Sequence, residues 1–568
     1  MGACGTPRDP DDRAATGVDH ASASGETWPR GFMALMGMLL ATGLVARVTP
    51  LFDQGGRILR QFPTEDGYLM LTIARNIALG NGMSTANGTI PTNGTQPLTT
   101  LIWAGLFRLV QCQKQAGVLL VQVFLIMTAA VTAYALYCLA KRLLEGRAWG
   151  KAAAALAACA WYASSMTVVH TQNCLETGVY VLLAVLSMLW YVATLSRDPT
   201  RPGTFGQYAL LGVLLGLTFL ARNDACWLIL AFCLVHVLSG FAFDRPHIVL
   251  RLVQTLLMGL TSVVISLPWL IFNQVKFGSV VPISGISEAH GAALGDNLNL
   301  LPATLTEYVL AVLPVPWAIE TQPIVIAACS VILLVALAVY AMMWTRASRS
   351  ARVVMGTVAF YALGLSGFYG LYFGASYFMN RYLFPLSPFL AIAWAALVMR
   401  IWLALRQSPF KHTAWVLFLA PLILVAGFNA RTYIKGKDHM HWQVVQWVAT
   451  NVKHDEWVGA GQSGTLGFFH DLTINLDGKV NPEALEARLK GKVLDYVVRS
   501  EIRYLVDWVG ITTWGVEPPL KDHFEVIVED QELNLGVLRR KRTAHAGAAD
   551  DRQEVQRGLA RDGARPAQ

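Results

Sequence analysis

Residues 62–80 read FPTEDGYLMLTIARNIALG and set two adjacent carboxylates, Glu65 and Asp66, just before a run with helical spacing. Tyr68, Leu69, Thr72, Ile73, Ile77 and Ala78 recur at that spacing as one apolar face, and Gly80 and Gly82 end the run. A carboxylate within hydrogen-bond reach of a hydroxyl can take its proton. A like-charged neighbour raises the pKa of one member of such a pair. Acids at this position also cap a helix and complement its dipole, so the pair alone marks a place rather than a reaction. The pair has ligand chemistry for a divalent cation, but one adjacent pair does not define a metal site.

The elements that must position these acids belong to a membrane. Hydrophobic residues make up 54% of the 568 and charged residues only 14%, where a soluble domain carries about 25%. Mean hydropathy is +0.44. These values exclude a water-soluble globule, a disordered chain and a disulfide-stapled secreted module. The net charge of +8 fits basic residues gathered in cytoplasmic loops. No basic stripe interleaved with aromatics suggests nucleic acid.

A span needs ~20 apolar residues to cross ~30 Å of hydrocarbon. Candidates are 31–48, 117–140, 152–169, 176–195, 207–221, 225–243, 252–272, 323–344, 353–372, 382–399 and 413–430, about eleven in all. Basic residues fall in alternate loops: Lys141, Arg142, Arg147 and Lys151; Arg197 and Arg201; Arg245 and Arg251; Arg346, Arg349 and Arg352; Arg400, Arg406 and Lys411. That pattern puts the N-terminus in the cytoplasm of a multi-pass plasma (inner) membrane protein and residues 431–542 outside. Residues 1–30 and 543–568 are polar and read as disordered tails.

Within the 31–430 membrane domain, two outer segments exceed simple connectors, 49–116 and 273–322. The first holds the acidic helix, a turn-rich loop (84–98) and a second short helix, Leu98 to Val110, and both helices suit the membrane surface. The exported C-terminal part reads as a small α/β domain with strand-like runs near 457–460, 493–498, 503–506 and 524–528. Trp442, Trp447 and Trp457 suit its core or an interfacial belt, and His170 suits a polar span end. Most of the eight cysteines lie in spans, and no Cys/His spacing suggests zinc.

The stretches EDGYLMLTIARNIALGNG (65–82), TNGTQPL (92–98), NCLETGVYVLL (173–183), LARNDACWLIL (220–230), KFGSVVPIS (276–284), NRYLFPLSPFLA (380–391) and NLDGKVN (475–481) run in the order of a known family. Together they resemble the GT-C superfamily of integral-membrane glycosyltransferases, which use polyprenyl-phosphate sugars. The superfamily includes protein O-mannosyltransferases, the lipid A aminoarabinose transferase and cell-wall arabinofuranosyltransferases. The resemblance implies an all-α polytopic bundle with juxtamembrane helices in the first outer loop and a small C-terminal extracytoplasmic α/β domain. It also implies inverting transfer of a hexose or pentose to a hydroxyl of a glycan, lipid or protein, without an assured cofactor. Asp66 matches the family's base, with Glu65 helping to position the acceptor; the family often has two Asp here, which leaves their division of roles open.

The leaving phosphate needs cations rather than a proton. Candidates are Arg381, Arg75, Lys276, Arg222 and His290. Either Arg222 or Arg381 is also placed to snorkel or to pair with Asp224 or Glu176. Asn93, Glu176 and Tyr68 are the expected substrate contacts under the resemblance, although Glu176 equally suits a helix start. Two other classes compete: a transporter or flippase of lipid-linked sugar, and a non-catalytic envelope-assembly scaffold. A transporter should show paired broken spans with polar groups at mid-membrane, whereas the acids here gather at one edge.

Overall fold

A computed structural model describes residues 30–53, 56–195, 203–243, 245–311, 319–374, 376–409, 416–434 and 439–541. Apart from Arg30, the two expected tails lie outside the described residues. The chain is mainly helical. The helices used below are α1 (Arg30–Val48), α2 (Glu65–Leu79), α3 (Pro97–Leu109), α4 (Lys114–Leu143), α5 (Ile248–Phe277), α6 (Pro323–Thr345), α7 (Arg349–Gly367) and α8 (Ser387–Arg406).

Among the described residues, eight helices are long and apolar enough to cross a membrane. The expectation of about eleven spans goes further than these lengths establish. The apolar run 152–169 is split into Gly150–Ala163 and Ser165–Gln172, bent by 59°. Ser164 makes the break with extended backbone (φ −54°, ψ 133°). The run 207–221 forms a helix of only 17 residues, Phe205–Ala221. At 1.5 Å per residue that helix is about 26 Å long, short of the hydrocarbon thickness. The last run, 413–430, begins outside the described residues; its described part is the helix Val416–Asn429, continued by a π-helical turn at Ala430–Ile434.

The bundle core is close-packed where side chains are small. Gly150–Ala163 (GKAAAALAACAWYA) is buried along almost its whole length, with α4 on one side and α8 on the other. Alanine and glycine let helix backbones approach in an apolar medium where hydrophobicity does not drive association.

The segment 49–116 forms α2 and α3, the two short helices expected there. Thr64 caps α2 by accepting the Gly67 N–H at 3.2 Å, and Gly80 ends it with φ 90°. Instead of burying one stripe, α2 buries Gly67, Tyr68, Met70, Leu71, Ile73, Ala74, Asn76 and Ala78. The reason is a second covering layer. Phe468 and Phe469 of the C-terminal domain lie 5.1 and 5.6 Å from the Tyr68 ring. Phe468 joins Leu71, Trp103 and Phe107 in one apolar cluster.

That domain is built on five strands, β1 (Val458–Ala460), β2 (Thr473–Asn475), β3 (Tyr504–Asp507), β4 (Phe524–Asp530) and β5 (Leu535–Arg540). Their order is β2-β1-β3-β5-β4. β1 runs parallel to β2 and β3, while β5 runs antiparallel to β3 and β4. Residues 493–498, expected as a strand, form the helix Val493–Arg499. A short apolar run does not distinguish the two by periodicity. Trp447 and Trp457 pack into the domain's two apolar clusters, and Trp442 packs against Phe469.

The bundle's two ends differ in character. The C-terminal domain covers the end that carries α2. Basic loops meet at the other end, where Arg147 donates to the Arg346 carbonyl at 3.2 Å.

Candidate functional site

Neighbouring residues on a helix project about 100° apart, so Glu65 and Asp66 leave the first turn of α2 in different directions. Glu65 turns toward the C-terminal domain. Its carboxylate accepts the Thr465 N–H at 3.0 Å and the Thr465 hydroxyl. His441 Nδ1 lies 4.0 Å from it, and His441 Nε2 lies 2.9 Å from Asp507. Asp507 in turn accepts the N–H groups of Gly461 and Gln462 at 2.7 and 2.9 Å. Burial opposes a charge on His441, but the hydrogen bond to Asp507 and the Glu65 carboxylate outweigh it and raise the His441 pKa.

Asp66 turns the other way, into a cluster of charges. Arg381 Nη1 donates to Asp66 Oδ2 at 2.9 Å. Lys479 Nζ stands 3.5 Å from Asp66 Oδ1 and 2.5 Å from Glu288. The Phe378 ring lies 4.4 Å from the Arg381 guanidinium and 5.1 Å from the Lys479 ammonium, within cation–π range. Burial alone would raise the Asp66 pKa; Lys479 and Arg381 reverse that and hold it down at about 2. The expected like-charge effect of Glu65 is therefore not what sets Asp66. Asp477 behaves oppositely: burial pushes it up to about 6 against the pull of Lys479. Burial would lower the Lys479 pKa, but Asp66, Asp477 and Glu288 raise it.

Lys479 is placed by backbone contact rather than by chance reach. Arg488 donates to the Asp477 carbonyl at 2.7 Å and to Ser287 Oγ at 2.9 Å, and Ser287 donates to the same carbonyl at 2.7 Å. A Cβ on Gly94 would stand 1.9 Å from the Lys479 carbonyl oxygen. A Cβ on Gly464 would stand 1.9 Å from the Glu65 carbonyl oxygen. Real Cβ atoms do not approach so closely, so both docking surfaces require glycine.

Behind Arg381 lies a second charged group. Arg222 Nη2 is 2.8 Å from Asp224, and Arg222 Nε is 3.9 Å from Glu176. Tyr369 donates to Asp224 at 2.7 Å, and Arg222 Nη1 donates to the Arg381 carbonyl at 3.2 Å. The group thus fixes the backbone that carries Arg381.

Of the five expected phosphate ligands, Arg381 meets Asp66. Arg222 is committed to Asp224 and Glu176. Arg75 pairs with Asp471 of the C-terminal domain at 3.3 Å, beside Lys114 at 2.9 Å. Lys276 and His290 are exposed, and among the described residues neither joins the ion pairs around Asp66. Asn93 is buried and ties loops together, donating to Asn273 at 3.1 Å and accepting the Ile283 N–H at 3.2 Å. Tyr68 is fully buried and donates to the Leu59 carbonyl. His170 is a buried group against Phe384.

Lys479, Glu288 and Phe378 were not among the expected site residues. Lys479 sits inside the NLDGKVN stretch, so its signal was present but carried no charge partner in sequence. Among the described residues, no set of three or more His, Cys, Asp or Glu side chains gathers as a metal site. Arg381 Nε is buried without a hydrogen-bond partner. The cluster thus offers two carboxylates, Asp66 and Glu288, two cations and a spare N–H donor, which suits an anion arriving beside a hydroxyl.

A family described as a domain of unknown function, DUF8728, matches residues 431–554. No curated protein matches the sequence. Among solved structures, the chain is similar to ArnT from Cupriavidus metallidurans bound to undecaprenyl phosphate. The TM-score is 0.55 at 13% identity, covering 89% of this chain and 98% of that one. It is also similar to the archaeal oligosaccharyltransferase AglB from Archaeoglobus fulgidus, in complex with an inhibitory peptide and a dolichol-phosphate. There the TM-score is 0.51 at 12% identity, covering 90% of this chain and 74% of that one. The chain therefore has the GT-C fold that its sequence motifs resemble.

Proposed function

We propose that this chain is a membrane glycosyltransferase that moves a sugar from a polyprenyl-phosphate donor to an acceptor hydroxyl at the outer face of the plasma membrane. Asp66 is the general base, and the anomeric centre is inverted. One observation supports this reading above the others: Asp66 shares Arg381 of the bundle and Lys479 of the C-terminal domain. Base and phosphate-binding cations thus stand in one cluster on a GT-C fold.

The chemistry follows from that grouping. The acceptor oxygen attacks the anomeric carbon as the bond to the phosphate oxygen breaks. The bonding pair leaves with the phosphate, where Arg381 and Lys479 stabilise the developing charge. The hydroxyl proton passes to Asp66. A carboxylate held at about 2 by two cations is a weak base. A donor phosphate that engages those cations relieves that depression, so Asp66 becomes basic when the donor is bound.

The test is sugar transfer by the full chain in liposomes, with a labelled polyprenyl-phosphate sugar and an acceptor extract. Wild type forms a glycosidic product and Asp66→Asn does not. Undiminished transfer by the variant removes Asp66 as the base. Vectorial movement of the donor without product would favour a flippase.

A further inference from the structure

The end of the bundle opposite Asp66 holds a feature that glycosyl transfer does not use. α4, a helix of 30 residues, begins at Lys114, which touches Asp471 of the C-terminal domain, and ends at Leu143. At 1.5 Å per residue those ends lie about 45 Å apart. Leu143 lines a cavity of about 200 Å³ that lies between the ends of α4, α6 and α7 and runs along α8 from Phe389 to Arg400. Its walls are largely apolar, with Tyr340, Met343, Val354, Met355, Phe389 and Ile392.

Three arginines, Arg147, Arg346 and Arg400, line the same cavity. Arg147 leans on the Arg346 carbonyl at 3.2 Å, and Arg400 lies 5.7 Å from the Trp149 ring. Glu145 is the acid of the lining, and among the described residues it forms no ion pair with any of the three. Three cations around one opening repel one another, and an anion among them removes that repulsion.

α6 supplies one wall and faces outward along its length. Val331, Leu334, Val335, Leu337 and Met342 are all exposed, so the surface beside the cavity is the one a bilayer covers. An occupant must therefore carry an anionic group joined to an apolar chain and must reach the site from the membrane. A free inorganic anion satisfies the arginines and leaves the apolar walls uncovered. A zwitterionic lipid fills the walls and brings its own cation to the arginines.

We propose that this cavity holds one anionic phospholipid, its phosphate between Arg147, Arg346 and Arg400 and the start of an acyl chain against Met343, Val354 and Phe389. The bound lipid joins α6 to α4 and α8 at this end. The binding is independent of sugar transfer and of Asp66.

Native mass spectrometry of the full chain in detergent tests this, after exposure to equimolar phosphatidylglycerol and phosphatidylcholine. Wild type retains one phosphatidylglycerol in preference. Combined Arg147→Gln, Arg346→Gln and Arg400→Gln lowers its retention roughly tenfold or more, as loss of three cations near a headgroup requires. Ala393→Phe, which fills the cavity and leaves the arginines intact, lowers retention as well. Equal retention of both lipids by wild type overturns the proposal without any variant. So does displacement of phosphatidylglycerol by inorganic phosphate at equal concentration, or retention unchanged in either variant.

Discussion

Two clusters of carboxylates and arginines lie back to back in this protein and share one hydrogen bond, from Arg222 to the Arg381 carbonyl. In the inner cluster the Arg222, Asp224 and Glu176 side chains are 4, 4 and 8% exposed. In the outer cluster Arg381, Asp66, Lys479 and Glu288 are 15 to 18% exposed. The chemistry is the same and the access differs. A sealed set of charges holds its partners and sets a backbone; a set at the seam between bundle and domain can exchange a partner for a ligand. Under the proposed function, the sealed set has a structural role and the accessible one the catalytic role.

The largest effect should come from the outer acid. Asp66→Asn should lower sugar transfer by roughly 10²–10⁴-fold, the range of general-base catalysis, while thermal unfolding in detergent stays close to wild type. Arg222→Gln should do the reverse. It strands Asp224 and Glu176 and should cost about 3–5 kcal/mol of stability, read as a lowered unfolding midpoint. A stable, inactive Arg222→Gln protein would break the distinction.

Arg381→Gln and Lys479→Gln each remove one donor to the developing charge and should lower turnover by roughly 10²-fold. Gly464→Ala forces an atom into the Glu65 carbonyl and should weaken domain docking by about 1–3 kcal/mol. Faster protease cutting between bundle and domain would report it. The smallest effect is pH dependence. The His441 pKa is raised in the folded chain, so its contribution to docking is complete below the ordinary histidine value of about 6.5 and is lost as pH rises through the raised value. Amide exchange at the domain seam should therefore quicken above neutral pH in wild type, and His441→Gln should flatten that rise.

The acidic pair at a helix head, the two short helices after the first span and the basic loops were all legible, because each is a local pattern. Arg381 was legible for the same reason: a cation beside an apolar run is unusual. Lys479 was not, because its partner Asp66 lies 413 positions away and only the folded domain brings them together. The division between Glu65 and Asp66 was hidden too. Adjacent side chains diverge, and what each meets depends on Thr465 and Arg381, which sequence spacing does not relate. The span count rests on hydropathy, which carries no geometry: the Ser164 bend and the short Phe205–Ala221 helix are where helix length alone does not establish it.

The central claim is that the cations restraining Asp66 are the ones a donor phosphate takes up. It is tested most directly by titrating polyprenyl phosphate into purified wild type and Asp66→Asn protein. The account predicts that the variant, whose Arg381 and Lys479 no longer face a competing carboxylate, binds the lipid phosphate at least as tightly while transferring no sugar. Markedly weaker binding by Asp66→Asn would contradict it.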